Sequence, residues 1–125
     1  MKLIFLSIML CLFSVMNAQT VASKHTIGSI EKRSNWYDIY NERGKKIKTI
    51  HAGIGELVGF GSHFFIVKRG NWYDLYNETG TKYKTLPVST GEIVSVAGGT
   101  FTVRRGAWLY ACDSMGKKIS ARQAK

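Results

Sequence analysis

The chain has 125 residues, with 18 Lys and Arg against 8 Asp and Glu, three His, two Cys and one Pro, for a formal net charge of +10. That length supports one domain, and two cysteines rule out a scaffold held by several disulfides. The basic balance admits a polyanionic partner without requiring one.

Residues 1–18 read as a secretory signal peptide. Lys2 supplies a short positive start, Leu3 to Met16 is apolar apart from Ser7 and Ser14, and Met16-Asn17-Ala18 places a small residue before Gln19. The apolar run is too short for a comfortable membrane span, and no second such run follows. Export to a periplasmic or extracellular location is therefore expected. Removing Lys2 with this segment leaves residues 19–125 with 17 Lys plus Arg (18 minus 1) against 8 Asp plus Glu, or +9. Cys112 is then the only cysteine. It cannot form a disulfide within its own chain and is expected to be a small apolar filler.

The mature segment is written three times. Residues 33–44, Arg-Ser-Asn-Trp-Tyr-Asp-Ile-Tyr-Asn-Glu-Arg-Gly, return as residues 69–80, Arg-Gly-Asn-Trp-Tyr-Asp-Leu-Tyr-Asn-Glu-Thr-Gly, and more loosely as residues 105–116. Trp36, Trp72 and Trp108 stand 36 residues apart both times, a period that marks a repeat architecture. Copies fall near residues 25–52, 53–88 and 89–125 of a single domain.

In chain order, each copy reads as a β-meander. Phe64 to Arg69 and Trp72 to Asn77 are rich in β-branched and aromatic residues. Gly70-Asn71 between them suits a two-residue type II′ hairpin turn, as does Gly106-Ala107, while Ser34-Asn35 fits less well. Asn41-Glu42-Arg43-Gly44 and its echoes at 77–80 and 113–116 suit a type I turn followed by a glycine at positive φ. Third strands are predicted at 45–50, 81–86 and 117–122. The second and third copies add a leading strand at 56–60 and 92–97, for which copy one has no clear counterpart. Residues 20–24 are expected to fray. No segment has helical spacing over three turns, and Pro87 follows a strand end.

The two-residue turn sets Arg69 opposite Trp72 and Phe65 opposite Tyr76. One face then carries Phe65, Val67, Arg69, Trp72, Asp74 and Tyr76, and the other carries Phe64, Ile66, Lys68, Tyr73 and Leu75. Two apolar faces predict that both meet packing partners. The expected fold is all-β, with three tandem meanders in a pseudo-threefold arrangement. It is either a trefoil-like or barrel-like closed form, or a propeller-blade-like or solenoid array. The recurring bulky rings are expected to serve this interior.

Residues 68–80, Lys-Arg-Gly-Asn-Trp-Tyr-Asp-Leu-Tyr-Asn-Glu-Thr-Gly, resemble the tandem WG-type β-repeat of short exported bacterial repeat proteins. The resemblance covers most of the mature chain. It implies a binding or structural module and carries no catalytic residue.

No metal-ligand spacing joins His25, His51, His63 and Cys112. Gly53 to Gly59 lacks the Lys and Ser/Thr of a phosphate loop. Asp38 and Asp74, like Glu56 and Glu92, recur in register, which favours a structural task over acid–base chemistry; the aspartates are expected to answer a strand-end Arg or a backbone NH. No catalytic set, metal or cofactor is therefore expected. The candidate binding residues are Arg33, Arg69 and Arg105 at the hairpin, Trp36, Trp72 and Trp108 beside them, and Lys46, Lys82 and Lys118 after the turn glycine. The arginine and lysine sets are expected roughly 20 Å apart, at opposite ends of the Trp strand. The simpler expectation stacks Arg69 on Trp72 as a cation–π pair and leaves the lysines as solvated edge charges. The preferred reading is an exported non-catalytic binding or structural module for an anionic polymer or envelope component. One alternative is a carbohydrate-binding module that needs exposed Trp faces. Another is a hydrolase or inhibitor, which a pocket gathering non-repeated groups such as His51, His63 and Glu92 would support.

Overall fold

Alternation of apolar side chains along each copy gives strands with two buried-type faces, and a computed structural model shows how they stack. It describes residues 25–124. The expected signal peptide at 1–18 and residues 20–24, expected to fray, lie outside them. The strands are β1 (Ile27–Arg33), β2 (Trp36–Asn41), β3 (Lys46–His51), β4 (Glu56–Phe60), β5 (Phe64–Arg69), β6 (Trp72–Asn77), β7 (Lys82–Pro87), β8 (Glu92–Ala97), β9 (Thr100–Arg105), β10 (Trp108–Asp113) and β11 (Lys118–Gln123). Single 3-10 turns at Ala52–Ile54 and Val88–Thr90 join consecutive copies. The strands form three antiparallel meanders, ordered β1-β2-β3, β4-β5-β6-β7 and β8-β9-β10-β11.

The hairpin register follows the expected pairing, from Arg69 opposite Trp72 to Phe64 opposite Asn77. Gly70 and Gly106 take φ of 61° and 62°, and Ser34 takes the same turn at 59° despite its side chain. At the opposite end, the Asn41 side chain accepts from the backbone NH groups of Arg43 and Lys45 at 2.9 Å each. Asn77 and Asp113 repeat the arrangement. The turn absorbs Lys45, Thr81 and Lys117, whose carbonyls accept from the NH of residues 41, 77 and 113. The third strands therefore begin one residue later than the sequence suggests. They also end one later, so that Pro87 closes β7 opposite Trp72. Proline is tolerated there because β7 is an edge strand.

The middle sheet is buried on both sides. Phe64, Ile66, Tyr73 and Leu75 pack against Phe101, Val103 and Cys112 of the third sheet. Phe65, Val67 and Tyr76 pack against Ile27 and Ile39 of the first. The Phe65 and Tyr76 rings stack at 5.2 Å. Cys112 is buried as expected, and burial pushes its thiol pKa up. No core joins the first sheet to the third among the described residues. Of the two expected forms, the chain shows an array of blade-like meanders, without closure.

Further hydrogen bonds tie each copy to the next. The Tyr37 hydroxyl donates to the Gly55 carbonyl at 2.7 Å and accepts from Leu57 NH at 3.1 Å. Tyr73 repeats the first bond on Gly91 at 3.2 Å. Backbone bonds run from Ile27 NH to Ser62 O and from Ser62 NH to Gly98 O, both 2.7 Å. Gly61 permits this approach: a Cβ there would lie 2.3 Å from the Gly98 oxygen.

The outer faces differ from the inner ones at equivalent positions. On the third sheet, Phe64, Ile66, Leu75 and Leu86 are replaced by Thr100, Thr102, Ala111 and Arg122; on the first sheet, Phe65 and Val67 are replaced by Ser29 and Glu31. Both ends of the stack are thus made polar or small, as terminal repeats of an array require. Leu109 stands where Tyr73 makes its bond to the next copy, and no sheet follows the third among the described residues.

Ile66→Ala should cost about 2–5 kcal/mol, because the side chain is fully buried between two sheets. Ile119→Ala, at 58% exposure on the outer face of the third sheet, should change stability by about 0.5 kcal/mol or less. Urea unfolding of residues 19–125 measures both; equal costs would contradict the layered arrangement.

Candidate functional site

The hairpin end of each sheet carries the recurring Arg and Trp. Trp36, Trp72 and Trp108 are 40%, 44% and 42% exposed. The expectation that these rings serve the interior is therefore corrected: the tyrosines do so, with Tyr37, Tyr73 and Tyr76 buried. Each indole begins the central Trp strand of its sheet and faces the last residue of the following strand: His51, Pro87 or Gln123. Trp36 meets the His51 ring edge-on at 5.2 Å. Trp72 lines an open depression of about 440 Å³ with Asn71, Pro87, Val88 and Ser89. Each indole occupies the same position in its own sheet, at the start of the strand that follows the hairpin turn.

The arginines do not stack on the tryptophans. Arg33 holds Asp38 through Nε at 2.9 Å and Nη2 at 3.2 Å, and Arg69 holds Asp74 at 2.8 and 3.3 Å. Thr49 and Thr85 donate to the same carboxylates at 2.8 and 3.0 Å. Lys46 and Lys82 complete each cluster at 3.8 Å. Strand geometry explains the convergence. Arg69 lies opposite Trp72 and Lys82 opposite Tyr76, so both are two residues from Asp74 on one face. The arginine and lysine sets therefore meet on one acid instead of forming separate rings at opposite ends. The aspartates are structural, as their repetition implied, and the arginine is the group they answer.

Hydrogen bonds from Arg33 and Thr49 bring the Asp38 carboxyl down to about 2. Burial pulls Asp74 upward, but hydrogen bonds from Arg69 and Thr85 and the charge of Lys82 outweigh it, and its pKa also lies below the usual range.

Copy three abandons this cluster. Tyr110 replaces the aspartate and Ala121 the threonine. Lys118 moves over the Tyr110 ring, with Nζ 4.1 Å from its centre, and Arg105 has no acidic partner among the described residues. Of the six candidate cations, four are thus committed to aspartates.

The histidines stay apart. His51 Nδ1 accepts from Gly53 NH at 2.9 Å and caps the 3-10 turn. His63 Nδ1 bonds the His25 carbonyl at 2.7 Å. No group of three potential metal ligands occurs among the described residues. Glu56 and Glu92 pair across strands with Lys68 and Arg104. Neither glutamate nor His51 lines the cavity that His63 lines, which instead holds Glu78 and Tyr83. Sequence reasoning missed that pair, although neither has the same role in all copies: Glu78 becomes Ser114, and Tyr83 is Ile47 and Ile119 elsewhere. Among the described residues, no helix is long and apolar enough to cross a membrane. No family model matches the chain, and no curated protein shows significant similarity to it.

Both aspartates have folded pKa values below the ordinary carboxylate value. Their contribution to stability is present above about pH 4 and is lost as pH falls through the lowered folded values, about 2 for Asp38. Acid titration of unfolding should show this loss, and Asp38→Asn combined with Asp74→Asn should flatten it while lowering stability at neutral pH. An unchanged acid limb in the double variant would contradict the assignment.

Proposed function

We propose that the mature chain is an exported, non-catalytic binding module that takes an extended glycan along its tryptophan edge. The observation that carries this reading is the exposure of Trp36, Trp72 and Trp108 at the same position of three consecutive sheets. An indole that is half-exposed on a rigid strand presents an apolar plane at little entropic cost. A row of three such planes suits the repeating apolar faces of sugar rings in a polymer better than one compact ligand. The depression beside Trp72 is open, which suits a chain that passes over it.

Charge complements the platform without defining it. Arg33, Arg69, Lys46 and Lys82 share two buried carboxylates, so half of their charge is answered within the fold. A simple polyanion groove built from the hairpin arginines therefore has less to offer than the sequence suggested. Arg105, without an acidic partner among the described residues, and the net charge of +9 on residues 19–125 favour a second reading, in which the glycan or polymer carries acidic groups at the third copy. The reading of residues 1–18 as an export signal supports a place outside the cytoplasm for such a module.

Co-sedimentation with insoluble polysaccharides, neutral and acidic, tests the proposal. Trp36→Ala, Trp72→Ala and Trp108→Ala should each weaken retention about tenfold, equivalent to ~1.4 kcal/mol, with little change in unfolding midpoint. Retention on a neutral glycan should persist in about 0.5 M salt, where surface electrostatics are strongly screened. Undiminished retention in the triple variant would overturn the glycan reading. Binding to heparin alone, abolished by salt, would favour the polyanion.

A further inference from the structure

At the other end of β6 from Trp72, a cavity of about 380 Å³ opens between the second and third sheets. Its lining includes His63, Phe64, Glu78, Tyr83, Gly98 and Ser114. Five steps along β6 separate its Asn77 rim from Trp72, roughly 17 Å at strand rise. It is thus a different place from the tryptophan edge.

Glu78 is the unusual member. Its residue is only 6% exposed, yet its carboxylate has no hydrogen-bond or ion-pair partner among the described residues. The other two buried acids, Asp38 and Asp74, each hold an arginine and a threonine. A carboxylate withdrawn from water without a partner is costly, and the repeat does not demand it, since Ser114 occupies the same position in copy three.

The surrounding groups are biased in one direction. The His63 Nδ1–H is spent on the His25 carbonyl, so neutral imidazole offers Nε2 as an acceptor. The Tyr83 hydroxyl proton is spent on the Ser114 carbonyl, which leaves the Tyr83 oxygen as an acceptor. Asn77, also in the lining, uses its oxygen for Thr79 and Thr81 NH groups and otherwise offers only a neutral amide. The cavity therefore combines one carboxylate, two neutral acceptors and two aromatic rings, without a cationic side chain.

We propose that this cavity binds a small organic ammonium ion, with Glu78 as its counter-ion, His63 Nε2 and Tyr83 Oη as additional acceptors, and the Tyr83 and Phe64 rings as its apolar wall. A primary ammonium brings three donors and a positive charge, which match the unfilled capacity of these groups. Aromatic faces add to cation binding when water is displaced. A metal ion is a poorer fit, since the cavity gathers only one carboxylate and one imidazole.

The test titrates residues 19–125 with 1,4-diaminobutane, using 1,4-butanediol as the neutral isostere. The readouts are amide chemical shifts and the unfolding midpoint. The diamine should give saturable shifts at Gly98, Gly99 and Tyr83 below about 10 mM and raise the unfolding midpoint by mass action; the diol should do neither. Glu78→Gln should weaken diamine binding at least tenfold while leaving the unfolding midpoint equal or higher, because it removes an unpaired buried charge. Tyr83→Phe should weaken binding less, as it keeps the ring and removes one acceptor. An equal response to the diol, unaltered binding in Glu78→Gln, or no saturation in that range would each overturn the proposal. A marked fall in the Glu78→Gln midpoint would also do so, because it would show that the carboxylate already serves the fold.

Discussion

A sheet with large apolar side chains on both faces must be covered on both faces, and this constraint organises the protein. Strands β5 and β6 carry Phe64, Ile66, Tyr73 and Leu75 on one side and Phe65, Val67 and Tyr76 on the other. Neither set can be left to water, so the middle copy needs a neighbour before it and one after it. The flanking copies each solve half of that problem and then end it. Their inner faces keep Ile39 or Phe101 and Val103, while their outer faces carry Ser29 and Glu31 or Thr100, Thr102 and Arg122. An array finished in this way has no chemical reason to add a fourth sheet, and the two outer faces have no core to share with each other.

The same alternation explains what could be read from the sequence. Register came from the two-residue turn, so Arg69 opposite Trp72 and the faces of β5 and β6 followed from spacing alone. The Asn–x–x–Gly turns were equally legible, because Asn at the first position and Gly at the fourth each have a local task. The strand that follows began a residue late because the turn's carbonyl contact at Lys45, Thr81 and Lys117 is a closure within three dimensions, not a composition signal. The choice between a ring and a row was illegible for a related reason. It depends on whether Thr100 and Ser29 face water or each other, and both residue types tolerate either.

The site residues were harder to read than the fold. Repetition correctly marked Asp38 and Asp74 as structural, yet it could not say that Arg33 and Lys46 would meet on one carboxylate. Their backbone positions lie at opposite ends of a strand, and only the reach of long side chains along a shared face brings them together. A buried ion pair of this kind fixes geometry more reliably than it adds stability. It ties the hairpin to the strand beyond it. Copy three shows the consequence: with Tyr110 in place of the acid, Lys118 settles on the new ring, and Arg105 is released from that duty.

The two aromatic residues that stand side by side in the motif, Trp and Tyr, divide the work between edge and interior. Their adjacency on a strand sends them to opposite faces. Tyr37 and Tyr73 point towards the next sheet, and a hydroxyl at the end of an apolar ring can both fill that interface and satisfy the Gly55 or Gly91 carbonyl beyond it. A tryptophan at that position would fill the space without reaching an acceptor. A tyrosine at the Trp position would expose less apolar area. In the third sheet, which no other follows among the described residues, the tyrosine becomes Leu109, but Trp108 remains as exposed as its counterparts. Loss of the inward residue at the terminal copy, with retention of the outward one, separates the two roles: the tyrosine depends on a following repeat, and the tryptophan does not. A residue kept on all three sheets where packing does not require it is better explained by something outside the fold than by cohesion within it.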